Sequence, residues 1–301
     1  MKFAGVLFAV ASLFGQSCPE KQELVPIQVE MRHLASGETP IPSDFVLSGK
    51  GVKPEVVGLK AKAPADIVVL IEDRQRRGQL AGAADYFVNM LNPEDRVIVM
   101  TYGTGTKKQT DWTDSAPELR KAIEKGADGW HLQIARPLFA VSDALKLFGP
   151  ATVDRKRSIF MLGDDQDYYG ELNAEQVAAN LIERRVTLHL AIDPAPPRKI
   201  PRLNVQNPTT SNQATPAQMN APAMMQPVRN VAKTSGGMAD AFTDVTFFRA
   251  MRERLDETVI LSYCVEKRQA GRAPAVELSP RGKDRFPSVE LLYPGLVSLR
   301  K

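Results

Sequence analysis

An α/β fold, with a mainly parallel sheet and helices on both faces, is predicted by three features of the sequence. Continuous apolar runs of strand length recur between Asp66 and Ile192, they alternate with amphipathic stretches of helix length, and Asn, Pro and Gly punctuate the joins. The first run is Ile67-Val68-Val69-Leu70-Ile71, apolar throughout, as a strand covered on both faces requires. Leu80, Ala83, Ala84, Phe87, Val88 and Leu91 follow at helical spacing, and Asn92-Pro93 ends that helix. A second strand is predicted over 96–101, helices over 115–125 and 137–148, and a third buried strand over 158–162. Asn173 with Gln176 three positions on has the form of a capping box, opening a helix whose apolar face is Ala174, Val177, Ala178, Leu181 and Ile182. Residues 186–192 return as a strand.

The flanks carry a different pattern. Residues 25–31 alternate apolar and polar, and 259–265, 275–278, 289–292 and 296–299 are short β-prone runs separated by Gly and Pro. They are expected as half-exposed strands that form a small accessory β unit beside the α/β domain, or else extend its sheet.

Composition narrows the class. Of 301 residues, 43% are hydrophobic and 25% charged, an ordinary globular balance. The net charge of +4 comes from 39 basic and 35 acidic residues, which gives no reason to expect a nucleic-acid partner. Two cysteines and three histidines are too few for a disulfide framework or a Cys/His zinc module. Residues 1–17 combine Lys2, an apolar run from Phe3 to Phe14 and the small-residue end Gly15-Gln16-Ser17, the layout of a secretory signal peptide. The expected organisation is therefore a signal peptide at 1–17, an N-terminal β segment at 18–62, the α/β domain at 63–257 and a C-terminal β segment at 258–301. Within the domain, 194–228 is rich in Pro, Gln and Asn and is expected as a disordered insertion. No later stretch is apolar for the length of a membrane span. The protein is expected to be secreted or periplasmic, with Cys18 either lipidated or paired with Cys264.

At "DIVVLIED", "LNPEDRVIVMTYG", "RPLFAVSDAL" and "RSIFMLGDDQD" the chain resembles a von Willebrand factor type A domain. More narrowly, it resembles the secreted von Willebrand factor A-related proteins abundant in acidobacteria. The segment "SDFVLSGKGVKPEVVGL" before the domain, the "TSGG" turn at 234–237, a helix near 244–255, "VILSYCVE" and a "YPGLVSLRK" tail follow the order seen in that group.

The resemblance implies a metal-ion-dependent adhesion site of the form Asp-x-Ser-x-Ser, a Thr before a later helix and an Asp after a central strand. Oxygens at those positions would surround Mg²⁺ or Mn²⁺. Here Asp73 falls on the first position, but Gln75 and Arg77 fall on the two serines, Arg136 on the threonine and Asp164 on the later aspartate. The site is thus expected to be degenerate and to hold no cofactor, with Arg77 and Arg136 standing in the place of the ion through bidentate hydrogen bonds to the carboxylates. Asp73 and Asp164 are the residual candidates for a weak Mg²⁺ or Ca²⁺ site, and the alternative for the arginines is plain solvent exposure. Asp164, Asp165, Asp167 and Glu171 match a calcium loop poorly and are expected as a solvated acidic loop.

No nucleophile elbow, zinc-protease motif or phosphate-binding glycine loop is present, and His33, His131 and His189 are scattered. His189 is expected as a hydrogen-bonded core or edge residue. Trp130, His131, Tyr168 and Tyr169 are candidates for the walls of a crevice. The expected function is protein binding at or outside the cell envelope, without catalysis, through the face that carries Asp73, Gln75, Arg77, Arg136, Asp164, Asp165 and Asp167. A structural envelope component is the second class and a hydrolase acting on extracellular polymers the third.

Overall fold

The computed structural model describes residues 18–35, 37–49, 54–73, 85–126, 135–163, 165–167, 171–192, 226–241, 246–266 and 274–293. Strands β1 (Gln22–Arg32), β2 (Phe45–Ser48) and β3 (Val56–Lys60) come first. The α/β part begins with β4 (Ala65–Glu72), β5 (Arg96–Tyr102), β6 (Thr106–Lys108), α1 (Ala116–Gly126) and α2 (Pro137–Leu145). It continues through β7 (Lys156–Gly163), the two-residue β8 (Gln166–Asp167), α3 (Ala174–Glu183) and β9 (Thr187–Ile192). After 225 come β10 (Gln226–Pro227), α4 (Val228–Thr234), β11 (Ala239–Ala241) and α5 (Thr246–Glu257), then β12 (Thr258–Glu266), β13 (Ala275–Leu278), α6 (Pro280–Arg285) and β14 (Glu290–Leu292).

The main sheet has the order β11-β9-β7-β4-β5-β6, with every pair parallel except β5–β6. Counted from β4 this is the doubly wound order 3-2-1-4-5-6, which reverses direction between β4 and β7 and opens a crevice there at the carboxyl ends of the strands. Alternate strand residues serve the two faces. Val68, Leu70, Ile98, Met100, Ile159 and Met161 pack with α2, α3 and α4, whereas Ile67, Val69, Val97, Val99 and Phe160 pack with α1, α5 and the helical residues 85–89. Burying each such side chain contributes about 1.5–3 kcal/mol, which is why these runs read so clearly as strands.

Chain termini build a second sheet, β14-β1-β12-β3, with antiparallel neighbours throughout. β2 and β13 pair beside it, and Ile27, Val29, Phe45, Leu47, Leu261 and Tyr263 belong to their common core. The accessory unit thus has the expected composition, but β1 is not half-exposed: every residue from Val25 to Met31 is buried. Its apolar positions enter the accessory core, and its polar positions Gln28 and Glu30 turn toward the α/β domain instead of solvent. Gln28 Nε2 donates to the Arg157 carbonyl at 2.9 Å and to Thr187 Oγ1 at 3.3 Å, and its Oε1 accepts from Arg157 N–H. Glu30 pairs with Arg254 at 2.8 Å and Arg32 at 3.2 Å.

Cys18 and Cys264 form a disulfide with Cα atoms 5.7 Å apart, so the Cys18 sulfur carries no free thiol for a lipid. Local differences are small. Asn173 caps α3 by accepting from Glu175 and Gln176 N–H, but the Gln176 side chain reaches forward to Asn180 rather than back, so the reciprocal half of the capping box is not made. The described chain resumes at Gln226, where β10 pairs with β8 and Val228 is fully buried, which places residues 226–228 in the folded domain rather than in the insertion. In the "TSGG" turn, Ser235 Oγ accepts from Leu188 N–H, Gly236 has φ +86°, and a Cβ on Gly237 would overlap the Leu188 carbonyl. Ile182 is half-buried rather than core. The expected strand at 296–299 lies outside the described residues, as do Leu80, Ala83 and Ala84.

Candidate functional site

The crevice between β4 and β7 is closed by tight backbone approaches. Tyr102, at the end of β5, donates its hydroxyl to the Leu162 carbonyl at 3.2 Å, and Glu72, the last residue of β4, is buried alongside. A side chain on Gly163 would collide with both Tyr102 and Glu72, so β7 ends in glycine because these two polar groups occupy the space. Sequence reading passed over Glu72 and Tyr102. The available signal was a carboxylate closing an otherwise apolar strand.

Asp73 follows directly. Its N–H donates to the Tyr102 carbonyl at 2.9 Å, and its carboxylate lies against the Cα of Gly103, where a methyl group would overlap Oδ2. The same glycine accepts from Arg136 N–H at 2.9 Å through its carbonyl. Asp73 and Arg136 are therefore anchored to one hairpin turn, Gly103-Thr104-Gly105, between β5 and β6. The structure brings these two predicted positions together at the crevice.

Arg136 precedes α2, whose first residue Pro137 has no N–H to satisfy. Its guanidinium pairs with Glu171, lies 4.6 Å from the centroid of the Phe139 ring, and reaches the Thr104 carbonyl at 3.5 Å. β6 is tied to the same helix, because Thr106 Oγ1 donates to Asp143 Oδ2 at 2.7 Å while Lys146 holds Oδ1 at 2.7 Å. Burial alone would raise the Asp143 pKa, but the hydrogen bonds from Lys146 and Thr106 outweigh it and hold the carboxyl below its ordinary value.

Within the acidic run Glu171 is exposed as expected, but Asp165 and Asp167 are not solvated. Asp165 and Asp167 are 5% and 3% exposed. Asp167 Oδ2 accepts from Leu138 N–H at 3.1 Å and so satisfies one of the orphan donors at the start of α2. Asp165 pairs with Arg229 of α4, and its carbonyl accepts from Val228 N–H at 2.7 Å. The reason is tertiary: α4, which carries a cation, and the N-terminus of α2 converge on these carboxylates. Gln75, Arg77 and Asp164 lie outside the described residues, together with Trp130, His131, Tyr168 and Tyr169.

The donor chemistry bears on the metal that the resemblance implies. Arg136 is the residue that the resemblance sets against a hydroxyl ligand; a guanidinium has only N–H donors, no lone pair for a cation, and a positive charge that repels one. Among the described residues no group of three or more His, Cys, Asp or Glu is placed to hold a metal ion.

His189 is buried on β9, as expected of a core residue, and stacks on Phe160 with ring centroids 4.8 Å apart, while its Nδ1 makes no hydrogen bond. Burial, with the charges of Arg254 and Arg32, pushes its pKa down to about 3, which leaves it neutral. No helix among the described residues is long and apolar enough to cross a membrane.

No family model and no curated protein matches the sequence. Solved structures similar to this one include the conserved hypothetical protein BatB from Bacteroides thetaiotaomicron (13% identity, 64% of this chain and 98% of that one, TM-score 0.45). Proximal thread matrix protein 1 from the mussel byssus matches at 13% identity over 69% of this chain and 50% of its own, with a TM-score of 0.44. A von Willebrand factor type A protein from Catenulispora acidiphila matches at 12% identity over 80% and 51%, with a TM-score of 0.43. The strand order, the single antiparallel edge strand β6 and the crevice between β4 and β7 give the α/β part the Rossmann-like architecture of a von Willebrand factor A domain.

Proposed function

We propose that this chain is an exported, non-catalytic protein-interaction module that uses the strand-end face of a degenerate A-type domain without a bound metal. The observation that carries the reading is Arg136: beside the crevice, and where the resemblance calls for a hydroxyl ligand, its guanidinium is paired with Glu171. The β5–β6 hairpin, with Thr104, Lys107 and Lys108 exposed, and the exposed Glu171 offer mixed charge and backbone edges suited to a protein partner at the envelope. Export is supported by the apolar leader-like residues 1–17 and by the Cys18–Cys264 disulfide, a bond typical of oxidising compartments.

The test is saturable binding of labelled, oxidised protein to a detergent-extracted envelope fraction, with and without chelator. Binding should survive chelation and fall at least tenfold in Arg136→Glu. Calorimetric titration of Mg²⁺, Mn²⁺ and Ca²⁺ should give no heat of binding. Tight, Asp73-dependent metal uptake, or binding abolished by chelator, would overturn the metal-independent reading. Turnover of an extracellular polymer that vanishes in Asp164→Ala would replace the module by a hydrolase.

A further inference from the structure

Two strands of the accessory unit are paired on one side only among the described residues: β14 with β1, and β13 with β2. Between them lies a groove of about 510 Å³, lined by Val276 and Leu278 of β13, by Phe286 and Pro287 after α6, and by Val289 and Leu291. Val276 and Phe286 are buried, whereas Leu278, Val289 and Leu291 are only half-buried. The volume is well above the ~150 Å³ that accommodates a benzene ring, so two aliphatic side chains have room there.

Tyr293 fixes where the chain passes out of β14 at this groove. It is buried, and its hydroxyl hydrogen-bonds the backbone of Val276, so it spans from one wall to the other. The residues that follow, 294–301, read Pro-Gly-Leu-Val-Ser-Leu-Arg-Lys, a Pro-Gly turn signal and then a β-prone apolar run. The stretch ahead of β13, residues 267–273, carries Lys267, Arg268 and Arg272 and nothing apolar larger than alanine, which does not suit an apolar groove. Of the two neighbouring segments, the one after Tyr293 has the matching chemistry.

Register decides which face of that run turns inward. Val289, Leu291 and Tyr293 alternate into the accessory core, and opposed residues of an antiparallel pair share a face. A three-residue loop at 294–296 sets Val297 opposite Tyr293, Leu299 opposite Leu291 and Arg300 opposite the exposed Glu290. A two-residue loop would turn Ser298 and Arg300 into the apolar groove instead, because a slip of one residue exchanges the faces. We propose that residues 297–300 form a strand along the outer edge of β14 in the first of these registers, so that Val297 and Leu299 fill the groove toward β13. The inference concerns the accessory unit and does not depend on the function proposed for the crevice face.

Paired cysteines test the register in the full oxidised chain, where Cys18 and Cys264 are already joined. Leu291→Cys/Leu299→Cys should form an intramolecular disulfide, located by peptide mapping, in at least tenfold the yield of Leu291→Cys/Ser298→Cys. Val297→Asp/Leu299→Asp should uncover the groove and raise the fluorescence of an added apolar dye at least threefold, whereas Ser298→Asp, on the outer face, should leave it at the wild-type level. Equal yields from the two cysteine pairs, a crosslink between two copies of the chain, or wild-type dye fluorescence in Val297→Asp/Leu299→Asp would each overturn the proposal.

Discussion

The side-chain amide of Gln28 takes the place of a strand beside Arg157. Its Nε2 donates to the Arg157 carbonyl at 2.9 Å and its Oε1 accepts from the Arg157 N–H, at the one turn of β7 that β9 has not yet reached, since their pairing starts at Ser158 and Thr187. One residue of the accessory sheet thereby completes the ladder of the α/β sheet, 129 positions away in sequence. Gln28→Ala leaves both backbone groups of a buried residue unpaired and should cost about 2–6 kcal/mol, at 1–3 kcal/mol per group. Urea denaturation measures this, and an effect below ~0.5 kcal/mol would show that water replaces the amide.

Asp167 should behave as the cap of α2. Asp167→Ala removes the acceptor at Leu138 N–H and is expected to lower stability by about 1–2 kcal/mol, whereas Asp167→Asn, which keeps an acceptor, should lose less. Equal losses in both variants would point to charge rather than capping.

Lys156 gives the protein an alkaline stability slope. Its ammonium is buried and donates to the Leu255 carbonyl at 2.6 Å, and burial, aided by the charge of Arg252, lowers its pKa from 10.5 to about 8. Between those values the unfolded chain holds a proton that the folded chain has released, so stability rises with pH from about 8 upward and the gain is lost as pH falls through 8. The full span corresponds to roughly 3 kcal/mol. Denaturation midpoints between pH 7 and 9.5 should climb in the wild type and stay flatter in Lys156→Met.

Reduction should loosen the accessory unit. The Cys18–Cys264 bond links residues 246 apart and ties the chain before β1 to β12, so the Cys18→Ser/Cys264→Ser variant should lose about 2–4 kcal/mol. Wild-type protein in reductant should melt at the same temperature as the variant. Lipid found on Cys18 by mass spectrometry of the native protein would contradict the disulfide.

The α/β core was legible in the sequence because its signal is local. A short run as rich in β-branched residues as Ile67 to Ile71 reads as a strand covered on both sides, and the 3.6-residue spacing of Val177, Ala178 and Leu181 fixes which face of α3 turns inward. The candidate site was legible by half: Asp73 and Arg136 do meet at one hairpin turn, but Asp165 and Asp167 looked solvated because nothing near them in sequence shows that Arg229 and the start of α2 would reach them.

What the sequence determined by itself is where apolar surface had to be removed from water, and hence the strands, the helices and the class of fold. The tertiary structure decided the partners of the polar groups: that Gln28 and Glu30 face the domain and not solvent, that Cys18 finds Cys264, that Arg136 is held by Glu171, and that His189 Nδ1 is buried without a hydrogen bond. The physical reason is that hydrophobic burial is non-directional and follows from periodicity alone, whereas a hydrogen bond or ion pair exists only once two distant atoms are within about 3 Å of each other.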